Sequence, residues 1–307
     1  MPYRRRLRRR SAPRVSRSRA YGSRRVVRPR RSRFTRSRRP LRPRTMRSRR
    51  QILNISSKKK YDTMMPLVVD NAGVGTAGGL SVIPTETGGG FNSLFLASGR
   101  EFKSNPSKHA RNAATIFVRG YKDRVLLTVS GGSSWTWRRI VFAFKGPRIR
   151  NFWSDNTLGE QYWGLGSGSG SATARTIGPM PDQIATQIRD LLYRGSAQVD
   201  WYDPFSASID TTRVTLFSDT THSINPTNES GRTRSFNLWT PINKNLNYDG
   251  FEQEEGKVSR PYSTEGKPGI GDIYIFDQVR RDTPLASGAP LSEMVFSPEG
   301  TFYWHER

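Results

Sequence analysis

Hydrophobic residues recur at every second position in a series of short runs beyond residue 61. In 124–129, Val125, Leu127 and Val129 fall on one face of an extended segment. The runs 198–201 (QVDW), 213–216 (RVTL), 235–238 (SFNL) and 272–275 (DIYI) repeat the period of two. Segments 135–144, 294–296 and 302–304 add strand candidates rich in aromatic and β-branched residues. One stretch has a helical period instead. Asp182 follows Pro181 as a predicted N-cap, Ile184, Ile188, Leu191 and Leu192 share one face, and Gly195 is the stop.

Between the runs lie Gly- and Ser-rich connectors, at 164–171 (GLGSGSGS), 88–90 and 131–132, which read as exposed loops. Some eight or nine strands with one short helix and long loops predict an all-β fold. The best-sized candidate is a single eight-stranded jelly-roll sandwich. No internal repeat of fixed period is present.

Charge divides the chain in two. The first 60 residues carry 23 Arg and 3 Lys with no Asp or Glu, the earliest acid being Asp62, and the remaining 247 residues are electrically neutral. The sequence therefore predicts a basic arm over 1–60 and one globular domain over 61–307. The arm cannot bury enough apolar surface to offset its ordering entropy while like charges repel, so it is expected to stay disordered until it binds. A polycation of this size exceeds what solubility requires and points to a polyanion. The preference for Arg over Lys selects nucleic acid, because a guanidinium forks onto phosphate oxygens and stacks on bases.

The predicted nucleic-acid contacts are Arg4, Arg5, Arg6, Arg8, Arg9, Arg10, Arg14, Arg17, Arg19, Arg24, Arg25, Arg28, Arg30, Arg31, Arg33, Arg36, Arg38 and Arg39. Arg47, Arg49, Arg50, Lys58, Lys59 and Lys60 also resemble a bipartite nuclear import signal, with a short spacer. A secretory signal is not expected, since the arm has no apolar core of roughly 7 to 15 residues, and Pro13, Pro29, Pro40 and Pro43 spoil an amphipathic mitochondrial presequence. No run approaches the roughly 18 apolar residues of a membrane span, so no membrane partner is expected.

The absence of cysteine excludes disulfides, thiolate metal sites and Cys nucleophiles. Gly73, Gly75 and Gly78 match a dinucleotide-binding spacing, but Pro84 stands where the required helix would run, so a plain Gly loop is expected. His109, His222 and His305 have no second ligand at metal-binding spacing. The carboxylate pairs Asp200 with Asp203 and Glu254 with Glu255 read as turn and loop residues. No Walker loop, nucleophile elbow or HExxH helix occurs. The expectation is a protein that is not an enzyme and takes no cofactor. Trp135, Trp137, Trp201, Trp239 and Trp304 read as core or interface residues, with base stacking the functional alternative.

The Arg-rich arm, followed by ISSKKKYDTMMP at 55–66 and WRRIVF at 137–142, resembles the capsid proteins of the genomoviruses, a gemycircularvirus-like group with small circular single-stranded DNA genomes. The arm is shared with circovirus and geminivirus coat proteins, and the two short segments favour genomoviruses. Geminivirus coat proteins carry a Cys/His cluster that this cysteine-free chain lacks. The resemblance implies a jelly roll, about sixty copies in a T=1 icosahedral shell, arms directed onto the packaged genome, and import into the host nucleus through its receptors for assembly. About sixty arms of this charge would offset roughly 1.5 kilobases of single-stranded DNA. The alternative expectation is a cellular ribosomal or chromatin-like nucleic-acid-binding protein with a basic tail.

Overall fold

A strand that is apolar on one face must bury that face against a second layer. A computed structural model of the chain shows how this is met for residues 54–307, except 70–74, 83–89, 106, 155–163, 166–172, 229, 254–255 and 283–291. Among these residues the strands are β1 (Lys58–Met64), β2 (Pro66–Val69), β3 (Gly75–Ala77), β4 (Leu80–Val82), β5 (Gly90–Leu96), β6 (Thr115–Val129) and β7 (Trp135–Phe144). They continue as β8 (Gly164–Leu165), β9 (Thr173–Ile177), β10 (Thr215–Ile224), β11 (Arg232–Gln253), β12 (Gly256–Ser263), β13 (Asp272–Arg281) and β14 (Met294–Glu306). Helix α1 (Arg148–Ser154) follows β7, and helix α2 (Asp182–Leu192) follows β9.

Eight strands build two facing antiparallel sheets, ordered β1-β14-β6-β11 and β5-β13-β7-β10. Numbered along the chain, the first of these eight pairs with the eighth, the second with the seventh, the third with the sixth and the fourth with the fifth. That is one long hairpin wrapped across two layers, which is the connectivity of a jelly roll. The expected fold class is therefore present. Strands β4 and β12 extend the first sheet, and β3-β2-β9-β8 form a small third sheet.

The inner faces meet in two apolar clusters. One contains Phe95, Ile116, Val118, Val141, Ile275, Phe302 and Trp304, and the other Val125, Leu127, Trp135, Trp137, Ile224 and Phe296. A third cluster lies on the opposite face of β5-β13-β7-β10, where Ile140, Phe142, Tyr274 and Phe276 pack against Ile149 and Trp153 of α1 and Ile184, Ile188 and Leu191 of α2. This second sheet is thus covered on both faces. Its strand β13 is buried almost throughout, although 272–275 reads as a half-exposed alternation. Among the described residues the first sheet has no such cover, and β6 alternates on either side of a bulge at Arg119, with Arg119, Lys122, Arg124, Leu126 and Thr128 exposed.

A four-charge cluster lies between the sheets. Arg139 of β7 holds Asp277 of β13 through Nε to Oδ1 at 2.7 Å and Asp123 of β6 through Nη1 to Oδ2 at 2.7 Å. Arg175 of β9 donates to Asp277 Oδ2 at 2.8 Å and lies over the Phe95 ring, its guanidinium carbon 4.4 Å from the centroid. The Trp137 indole N–H donates to Asp277 Oδ1 at 2.9 Å. All four charged groups are buried, and their sum is zero. Burial pushes the Asp123 carboxyl above its ordinary range. At Asp277 burial acts the same way, but Arg139 and then Arg175 outweigh it and hold the carboxyl low.

Several expectations are corrected locally. Residues 198–201 form a tight turn rather than a strand: Asp200 accepts the Ser196 N–H at 2.7 Å, and Gln198 has φ 65°. The runs 294–296 and 302–304 are parts of one strand, β14, which continues through Pro298. That proline is tolerated because β4 pairs only as far as Phe296 and β1 begins at Gly300, leaving the edge beside Pro298 unpaired. In α2, Pro181 rather than Asp182 occupies the N-cap, and Asp182 lies in the first turn, where its charge complements the helix dipole. Helix α1 was not anticipated. Of the Gly connectors, Gly164 and Leu165 form β8, Gly90 opens β5, and 88–89 and 166–171 lie outside the described residues.

The charge cluster predicts that Asp277→Asn, which keeps the side-chain volume but strands two buried guanidiniums, lowers unfolding free energy in denaturant by about 3–5 kcal/mol. A loss below about 1 kcal/mol would contradict this account of the core. A second carboxylate gives a pH signature. Asp272 accepts the Ser263 N–H at 2.7 Å and Arg150 Nη1 at 2.9 Å, yet burial lifts its carboxyl to about 6. A raised folded value stabilises fully below the ordinary carboxylate value and is lost as pH rises through the folded one. The unfolding free energy of the wild type minus that of Asp272→Asn is expected to fall between about pH 4 and 7, and a pH-independent difference would refute it.

Candidate nucleic-acid interface

Arg4 through Arg39 of the predicted contacts, together with Arg47, Arg49 and Arg50, lie outside the described residues. Lys58, Lys59 and Lys60 are described, and they are strand residues: β1 pairs with β14 from Lys58 opposite Glu306. The boundary drawn after residue 60 therefore cuts into the sandwich. Alternation sends the three lysines to different environments. Lys60 is buried, with its ammonium 2.8 Å from Glu306 Oε2, 2.8 Å from the Ala110 carbonyl it donates to, and bonded to Asn112 Oδ1. Its ammonium is engaged within the fold, whereas Lys58 and Lys59 are exposed.

The outer face of β1-β14-β6-β11, uncovered among the described residues, carries four exposed cations, Lys59, Arg119, Lys122 and Arg124. Across it, Lys59 lies opposite His305, and His305 opposite Phe117. Next come Tyr61 opposite Tyr303 and Tyr303 opposite Gly120, followed by Thr301, Lys122 and Trp239 in one row. Beyond them Glu299, Arg124 and Asn237 form a further row. Glu299 faces Arg124 across the ladder without forming an ion pair among the described residues. Arg119, at a bulge between Tyr303 and Trp304, donates to Asn243 Oδ1. Partial burial, then the charges of Lys59 and Arg119, hold His305 below its ordinary imidazole value.

An aromatic row runs through the same face. The Trp239 and Tyr303 rings meet edge to face at 5.6 Å, Tyr303 stacks with Tyr61 at 6.2 Å, and Tyr61 meets the His109 ring edge at 4.9 Å. Trp239 is 48% exposed and Tyr61 42%. Gly120 makes this possible, because a Cβ there would lie 2.6 Å from a Trp239 ring carbon and 2.6 Å from the Thr240 carbonyl oxygen. The absent side chain lets the indole lie across β6.

The remaining motifs resolve structurally. Trp135, Trp137 and Trp304 are core residues, and Trp201 packs edge to face on Tyr193 at 5.1 Å. His222 packs on Trp137 at 4.9 Å, and His109 Nδ1 bonds the Tyr61 carbonyl at 3.0 Å. Asp203 accepts the Phe205 N–H and pairs with Arg280 at 2.9 Å, so it and Asp200 close turns. Glu254 and Glu255 lie outside the described residues, as does Gly73, while Gly75 enters β3 and the chain continues into β4 rather than a helix. Among the described residues no group of three or more metal-binding side chains is disposed around one point, and no helix is long and apolar enough to cross a membrane.

The basic, aromatic face was only partly legible beforehand. Trp239 was among the stacking candidates, but its setting needs the register of four strands that are distant in sequence. The chain matches no protein-family model and no curated protein. Among solved structures it is similar to an unassembled pentamer of the Washington University polyomavirus VP1 protein, at 10% identity over 81% of this chain and 93% of that one, with a TM-score of 0.17. The strand connectivity, not that likeness, carries the fold assignment.

Proposed function

We propose that this protein is a structural capsid subunit that assembles with copies of itself into a small closed shell and packages circular single-stranded DNA through its Arg-rich arm. One observation carries the reading: a polycation of +23 over residues 1–57 precedes a jelly-roll body of net charge only +3. The arm neutralises phosphates without reading sequence, since backbone contacts position but do not specify. The body packs against copies of itself without the mutual repulsion that a +26 surface would impose. In this reading the protein resembles genomovirus capsid proteins, with about sixty copies in a T=1 shell and an address in the virion. Arg47, Arg49, Arg50, Lys58 and Lys59 engage host import receptors during nuclear assembly, without Lys60. The role is structural rather than enzymatic.

A second reading, a cellular ribosomal or chromatin-like nucleic-acid-binding protein, draws support from the cations Lys59, Arg119, Lys122 and Arg124 on the open sheet face. Such a protein needs a basic patch on its body. The two readings part over assembly. When the full chain is mixed with circular single-stranded DNA, electron microscopy is expected to show uniform closed shells with nuclease-resistant DNA. DNA affinity is expected to fall steeply with salt, because each bound phosphate releases condensed counterions. Stable monomers or one-to-one complexes would overturn the capsid reading, and salt-insensitive affinity would overturn the role of the arm.

A further inference from the structure

We infer that the open face of β1-β14-β6-β11 is a binding surface for single-stranded nucleic acid, with Trp239, Tyr303 and Tyr61 as base-stacking platforms and Lys122, Arg124, Arg119 and Lys59 as phosphate contacts. The inference deepens the proposed function, resting on its reading of nucleic acid as the partner, and moves part of the binding from the arm to the body.

The facing layer differs. Helices α1 and α2 seal the outer face of the second sheet, while the first sheet leaves two large aromatic rings nearly half exposed. Exposed aromatics on a strand surface cost solvation free energy unless a partner covers them. Their arrangement selects the partner. Trp239, Tyr303 and Tyr61 form a continuous row across four strands, and Gly120 leaves space for the indole to lie down. Cations flank the row on both sides, Lys122 and Arg124 toward Glu299, and Arg119 and Lys59 toward Phe117. Among the described residues Glu299 lies opposite Arg124 on this face, and Asp249 of β11 is already paired with Arg260.

A central strip of rings between two lines of positive charge matches an unpaired strand, whose bases present π-faces and whose phosphates lie beside them. A duplex hides its bases in the stack and would use the cations alone. A second copy of this chain would bring the same cations face to face. The location also fits, because the polycation of residues 1–53 joins the sandwich through β1, the edge strand that carries Tyr61 and Lys59.

The test uses the full chain and two probes of equal phosphate number, an oligothymidylate of about 30 nucleotides and its abasic counterpart. Arm contacts serve both probes, and stacking serves only the first. Trp239→Ala is expected to weaken oligothymidylate binding about tenfold while leaving abasic affinity within about twofold, and Trp239→Phe to restore most of the loss. The double change Lys122→Gln with Arg124→Gln is expected to weaken both probes alike and lower the salt slope by about 2. An unchanged ratio between probes in Trp239→Ala overturns the inference, as does equal weakening of both. So does a shift in oligomeric state with the ratio preserved, which would make the face a protein contact. These results leave the arm reading intact as long as wild-type binding stays steeply salt-dependent. Loss of that dependence is what sinks the arm reading.

Discussion

Two arginines and two aspartates share one buried site between the sheets, and the body is organised around their mutual neutralisation. Asp123 comes from one sheet, Arg139 and Asp277 from the other, and Arg175 from the small third sheet, so three layers converge on it. Low dielectric makes such a cluster costly to form and costlier to break, because any one missing partner leaves an uncompensated charge. The apolar clusters on either side can be repacked with moderate loss, but the charge cluster accepts only a balanced set. It also ties the register of β6, β7 and β13 together, since a one-residue slip would turn these side chains to the opposite face.

The same constraint shapes the surface. Many of the body's acids are engaged in the fold: Asp123, Asp272, Asp277 and Glu306 are buried, and Asp62, Asp219 and Asp203 pair with Arg100, Arg138 and Arg280. Among the described residues Lys59, Arg119, Lys122 and Arg124 stay exposed on the open sheet, with Glu299 opposite Arg124. A net charge of only +3 over residues 58–307 therefore hides a neutral core and a basic face. Arm and face make a graded system in the proposed function, a sequence-indifferent polycation for bulk neutralisation and an ordered aromatic surface for local contact with the strand.

Much of the fold was legible because its strands obey simple periodicity. Strand β6 alternates because its sheet has one dry and one wet face, and β7 matches its predicted bounds residue for residue. Failures occurred where another effect outweighed that rule. Segment 198–201 has strand-like composition, but the Asp200 carboxylate caps a turn with Gly195 at φ 79°. Strand β13 looked half exposed because the helices covering it lie far away in sequence. In α1, Ile149, Phe152 and Trp153 do follow helical spacing, but across too few residues to stand out. Lys60 was grouped with its neighbours by charge, when its side of the strand and Glu306 at the far end of the chain decide its role. Trp239 is the converse case: its residue type was suggestive, and its meaning came from Gly120, Tyr303 and Tyr61.

The central claim is a division of labour, in which arm charge sets how much nucleic acid is held and the nearly neutral body sets the container. The most direct measurement is the length of nuclease-protected single-stranded DNA per particle when half of the arm arginines are replaced by glutamine. If the arm performs the neutralisation, particles of unchanged diameter will protect a length shortened roughly in proportion to the lost charge. Protected DNA of unchanged length in those particles would contradict the account.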